Sequence, residues 1–221
     1  MTPPDRVVEL EPEKIPVEDR MDPTAGFMPR LRGVFFSRRL EIGLLAVFPA
    51  ALLVKPDDLF GVYWKLGIAG SLSLILAGIV LRTWAGGCAG THTGDAEIQA
   101  PRLATGGPYA FVRNPIYLGT ILIGLGMVGI IGDSRLLPLC LLTFLGLYAM
   151  IIPTEEKFLR ESFREEYHAY FSAVPRLIPR VARWNGSRAV PFNWGILAGE
   201  ARIAAVLAVV YGVMKLAAYL K

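Results

Sequence analysis

Apolar residues along this chain come in blocks, separated by short polar and charged stretches. A membrane helix needs about 20 consecutive apolar residues, and five blocks approach that length. They run over about 40–54, 59–81, 115–131, 136–152 and 203–220. Lys55-Pro56-Asp57-Asp58 ends the first and Arg82 closes the second. Gly132-Asp133-Ser134-Arg135 forms a tight turn between the third and fourth, making them a hairpin. After the fourth block the period changes. Phe158, Leu159, Phe163, Tyr167, Tyr170, Phe171 and Val174 recur at helical spacing, with Lys157, Arg160, Glu161, Arg164, Glu165 and His168 on the opposite face. That pattern predicts an amphipathic helix on the membrane surface or over the mouth of the bundle, ended by Pro175 and Pro179. The expected fold class is all-α: an integral membrane bundle of about five transmembrane helices plus this cytoplasmic interfacial helix.

The composition agrees. Of 221 residues, 53% are hydrophobic and 19% charged, and the mean hydropathy is +0.45, both outside the soluble norm. Residues 1–29 are polar, with six prolines and a net charge of −4, and read as a disordered tail preceding one membrane domain over 30–221. No secretory signal peptide opens the sequence.

With the N-terminus inside, the cytoplasmic segments carry 18 Lys and Arg and the outer ones three. The positive-inside rule therefore sets the orientation, and the protein is expected in the plasma membrane if the source is prokaryotic. The same bias accounts for a pI near 9.2 without a nucleic-acid partner. Cys88 and Cys140 make no C-x-x-C pair and read as unpaired packing thiols. With two histidines in the chain, no metal site is expected.

This topology puts 83–114 and 153–200 on one side of the membrane. The hairpin then sets the start of the third span, GPYAFVRNPIYLG over 107–119, beside Glu155-Glu156 at the end of the fourth. Asn114-Pro115 reads as a helix start, with Asn as N-cap and Pro at the first position. Such an end attracts a carboxylate or phosphate, and Arg113 adds a permanent charge. Gly106-Gly107-Pro108 is a turn that permits close backbone approach. Tyr109 and Tyr117 offer aromatic faces and hydroxyls. Glu155 and Glu156 supply the opposite charge, and carboxylates at a membrane boundary point to function. One wall suits an anion; the other suits a cation or sugar hydroxyls. S-adenosylmethionine carries all of these, and so, more loosely, does a zwitterionic lipid headgroup.

GPYAFVRNPIYLG, EE-x2-L, F-x3-Y-x2-Y and VPR-x2-P together resemble the isoprenylcysteine carboxyl methyltransferase and phospholipid methyltransferase superfamily of integral membrane enzymes, over about 83–179. The resemblance implies S-adenosylmethionine bound on the cytoplasmic side and methyl transfer to a lipophilic acceptor, a lipid or lipidated molecule, that arrives through the bilayer. Carried over by position, the cofactor contacts would be Pro101, Arg102, Leu103 and Ala104 through their backbone, then Tyr109, Arg113, Asn114, Pro115, Ile116, Tyr117, Glu155 and Glu156.

Three positions depart from the family pattern. Asn114 stands where the motif usually has His, which keeps a hydrogen-bonding group but removes a base. Met150-Ile151-Ile152-Pro153 replaces a stretch that carries an Arg in the isoprenylcysteine enzymes. Arg164 stands where a Gly follows the Phe in many relatives. No residue is marked as a catalytic base; His92 and His168 read as solvated. Two other functions fit parts of the pattern. One is an NADPH-dependent sterol-type reductase, which has a similar C-terminal motif pair but more spans. The other is a non-catalytic lipid-binding protein of the same fold.

Overall fold

A computed structural model describes residues 59–89, 102–188 and 191–219. The expected first span over 40–54 and the tail over 1–29 lie outside the described residues. Every regular element among the described residues is helical. A 3-10 turn, Gly61–Tyr63, leads into α1 (Trp64–Ala89). A second 3-10 turn, Gly107–Ala110, precedes α2 (Pro115–Ile131), followed by α3 (Leu136–Ala173) and α4 (Ile196–Tyr219). Gly61–Ala89, Leu136–Ala173 and Ile196–Val213 are long and apolar enough to cross a membrane; α2 is a shorter apolar helix.

Helices α1 and α2 pack backbone to backbone. A Cβ on Gly78 would lie 2.5 Å from the Gly119 carbonyl oxygen, and one on Gly119 would lie 2.8 Å from that of Gly78. Between membrane helices such small-residue contacts replace the hydrophobic drive that lipid removes. Gly126 and Gly129 continue the seam against Ser71, whereas Gly124 faces Phe144 of α3. The α2–α3 hairpin closes where expected. Gly132 is left-handed at φ 80°, and its N–H donates to the Val128 carbonyl. Asp133 Oδ1 then accepts the Arg135 N–H at 2.9 Å.

Three boundaries differ from the sequence reading. Helix α1 does not stop at Arg82 but continues to Ala89, because Arg82 finds buried partners and need not leave the bundle. Helix α4 begins at Ile196 instead of Ile203, so Glu200 lies within it. Helix α3 does not end at Ile152. It passes through Pro153, and Thr154 Oγ1 donates to the Met150 carbonyl in the turn that proline disturbs. The break falls at Arg164, with φ 39° and ψ −111° inside the helix.

Beyond that kink the amphipathic face turns inward. Tyr167, Tyr170 and Val174 bury with Leu103 in one cluster, against which Phe163, Phe171 and Trp184 pack. This part of α3 caps the segment leading into α2. A second cluster, Tyr117 with Leu147, Tyr148, Ile151 and Ile152, joins α2 to the first half of α3. Cys88 and Cys140 are both buried free thiols.

Candidate functional site

The GPYAFVRNPIYLG stretch is held between two partners. On one side is the end of α1. Gly107 is left-handed at φ 58°, and a Cβ there would strike Cys88 Sγ at 2.5 Å and Trp84 Nε1 at 3.0 Å. On the other side is a strap, 174–188, that leaves α3. The Arg113 N–H donates to the Pro175 carbonyl, Arg180 N–H to that of Phe111, and Trp184 N–H to that of Ala110. The Arg188 N–H adds a bond to Thr105 Oγ1.

Glu155 and Glu156 meet this stretch as the topology predicts, but in different ways. The Tyr117 hydroxyl donates to Glu155 Oε1 at 2.7 Å. Glu156 is buried, its side chain 7% exposed, and stands between two guanidinium groups. Arg113 Nη1 is 3.1 Å from Oε1, and Arg176 donates through Nε and Nη2 to both carboxylate oxygens. Arg113 also stacks on Phe171, 4.0 Å from the ring centroid. A buried carboxylate so enclosed is a frame for the turn, leaving Glu155 as the half-buried acid nearest the tyrosines.

Several expected contacts take particular roles. Asn114 precedes α2, yet its side chain makes no capping hydrogen bond; Nδ2 donates instead to the Arg176 carbonyl at 3.1 Å. Pro115 is buried at the first helical position, and the Ile116 carbonyl accepts from Thr120 Oγ1. Leu103 lies in the aromatic cluster under α3, Ala104 is half-buried beside it, and Arg102 is exposed. Pro101 lies outside the described residues. The Tyr109 carbonyl accepts the Tyr170 hydroxyl at 2.8 Å. Burial first, then the negative charge of Glu155, holds the Tyr109 phenol well above its ordinary pKa. Tyr109 is therefore neutral at physiological pH. His168 is exposed on α3; His92 lies outside the described residues.

The motifs contained Arg176, which completes the Glu156 clamp, and Tyr170, which fixes the Tyr109 backbone, but neither was among the expected site residues. Arg176 is the Arg of VPR-x2-P, so the signal was present without its role. A further polar group ties the helices together. Arg82 donates to both Glu200 oxygens at 3.0 Å and to Thr120 Oγ1 at 2.5 Å, joining α1, α2 and α4.

The phospholipid methyltransferase family profile matches residues 66–166. The matched stretch is thereby similar to the wider isoprenylcysteine carboxyl methyltransferase superfamily, of which that family is part. It runs from the first turn of α1 to just beyond the kink in α3, and it contains both halves of the site. The strap and α4 lie outside it. A segment of 84 residues is 31% identical to the cobalt-zinc-cadmium resistance protein CzcN of Cupriavidus metallidurans, covering 38% of this chain and 38% of that relative. The match thus spans well under half of the relative's length. No solved structure matches the chain significantly.

Proposed function

We propose that this membrane protein is an S-adenosylmethionine-dependent methyltransferase acting on a lipophilic acceptor, with its N-terminus and site on the cytoplasmic side. The observation that carries the reading is the junction of two distant motif halves inside a methyltransferase-family segment: Tyr117 to Glu155 at 2.7 Å and Arg113 to Glu156 at 3.1 Å.

The donor set fits the methyl donor. Glu155 and the hydroxyls of Tyr109 and Tyr117 suit an ammonium or ribose. Gly107, which tolerates no side chain, holds this turn close against Cys88 and Trp84 at the end of α1. The positive end of α2 and the arginines beside it suit a carboxylate. When bound, S-adenosylmethionine supplies an activated methyl group on a sulfonium centre, so no covalent enzyme intermediate is required. The chain's own contribution is to align the acceptor with that methyl group and to exclude water. Tyr109, protonated in its buried setting, serves as a hydrogen-bond donor instead of a base. Asn114 cannot take a proton, so the acceptor class that best fits is one already nucleophilic when it arrives.

Calorimetric titration of the detergent-purified protein with S-adenosylmethionine, S-adenosylhomocysteine and NADPH tests the reading. Saturable binding of the two adenosyl compounds, lost in Glu155→Ala, is expected. Binding of NADPH alone, or of none of the three, sinks it. Radiolabelled methyl transfer into a membrane lipid extract then identifies the acceptor.

A further inference from the structure

The strap over 174–188 carries four arginines, Arg176, Arg180, Arg183 and Arg188, and no acidic residue. Two of them have acidic partners elsewhere, Arg176 with Glu156 and Arg188 with Glu166. Arg180 and Arg183 bond to neutral oxygens, the Ala173 carbonyl and Ser187 Oγ, and neither forms an ion pair among the described residues. Between them stands Val181, 102% exposed, and Ile178 just before is 80% exposed. Single exposed apolar residues are ordinary. These two are different because the backbone that presents them is fixed on both sides, by the Arg113–Pro175, Arg180–Phe111 and Trp184–Ala110 hydrogen bonds.

Depth supplies the second argument. Helix α2 has 17 residues, a length of about 25 Å at 1.5 Å per residue. That is shorter than the roughly 30 Å hydrocarbon core, so both its ends lie at or inside the interfacial layers. The strap hydrogen-bonds to residues 110–113, immediately before α2. It therefore sits at headgroup level, where apolar tips enter the acyl boundary and flanking arginines meet lipid phosphates.

We infer that the strap is an interfacial anchor that docks on anionic phospholipid, with Ile178 and Val181 inserted and Arg180 and Arg183 against the headgroups. Anchoring there would brace the turn that the strap holds, coupling the site to the composition of its own leaflet.

A fluorophore at Val181→Cys tests this in the full-length protein. The native cysteines are buried, and unsubstituted protein controls for their labelling. The protein is placed in nanodiscs of phosphatidylcholine alone or mixed with phosphatidylglycerol. Quenching is read from a nitroxide carried on lipid and from aqueous acrylamide. Strong lipid quenching with acrylamide protection is expected in the mixed discs, and Arg183→Gln should weaken the phosphatidylglycerol preference about fivefold, the effect of one charge near an anionic surface. Ready acrylamide access in both discs overturns the anchor. Protection from both quenchers assigns the patch to a protein partner or second copy, and equal lipid quenching in both discs removes the anionic preference; each overturns the inference as stated.

Discussion

The Tyr117 hydroxyl donates to the Glu155 carboxylate at 2.7 Å, across 38 positions of sequence. Tyr117 lies in the first turn of α2 and Glu155 midway along α3, and the α2–α3 turn sets their register. If this pair lines the methyl-donor pocket, Glu155→Gln should weaken S-adenosylhomocysteine binding by about 10-fold or more, the cost of one charge-assisted hydrogen bond. Tyr117→Phe should fall in the same direction by less. Unchanged affinity in both variants would remove Glu155 from the pocket.

Glu156 should behave differently. Removing it leaves Arg113 buried without its counter-charge, so Glu156→Ala should destabilise the protein by about 3–5 kcal/mol. Arg176 is about half exposed, and Arg176→Ala should cost only about 1 kcal/mol. Thermal unfolding in detergent distinguishes the two. Equal losses would mean that Glu156 is not the centre of the clamp.

Arg164 adopts a positive φ of 39° within α3, a region costly to any residue with a Cβ. Glycine occupies it freely. Arg164→Gly should therefore raise stability by about 1 kcal/mol, against the usual penalty for glycine in a helix. A lowered melting temperature would show that α3 runs straight there.

Helix α4 is largely exposed among the described residues, and it meets the bundle through the buried Arg82–Glu200 pair and through Ile196 packed on Gly86. The side chains are 12% and 11% exposed. Glu200→Gln should cost about 3 kcal/mol and selectively speed amide exchange in α4. The double variant Arg82→Met/Glu200→Leu should recover much of that loss, since no buried charge is left unpaired. A double variant no more stable than the single would assign α4's attachment elsewhere.

At the far end of the hairpin, hydrogen bonds from Arg135 hold the Asp133 carboxyl below its ordinary value of 3.8. A depressed carboxyl stabilises the folded state above that value, and the contribution is lost as pH falls through the lower folded one. Unfolding measured between pH 5 and 2 should show this loss in the unsubstituted protein. Asp133→Asn should lack that component; an identical acid slope would exclude Asp133 as its source.

The pattern of apolar blocks was enough to give an all-helical membrane fold, the bounds of α2, and the α2–α3 hairpin. Lipid forces this, since a backbone without water must close its own hydrogen bonds. Hairpin geometry likewise brought Glu155 and Glu156 to the motif from sequence alone. Side-chain partnership was not legible, because it depends on neighbours distant in the chain. Only the tertiary structure committed Glu156 to Arg113 and Arg176, turned Asn114 from a cap to a strap contact, and made Arg82 and Glu200 a buried pair instead of two solvated flanks. It also moved the break in α3 from Pro153 to Arg164. Proline's lost hydrogen bond is a local cost that a lipid-embedded helix absorbs, whereas the turn at Arg164 is imposed by Tyr167 and Tyr170 packing over the segment that enters α2.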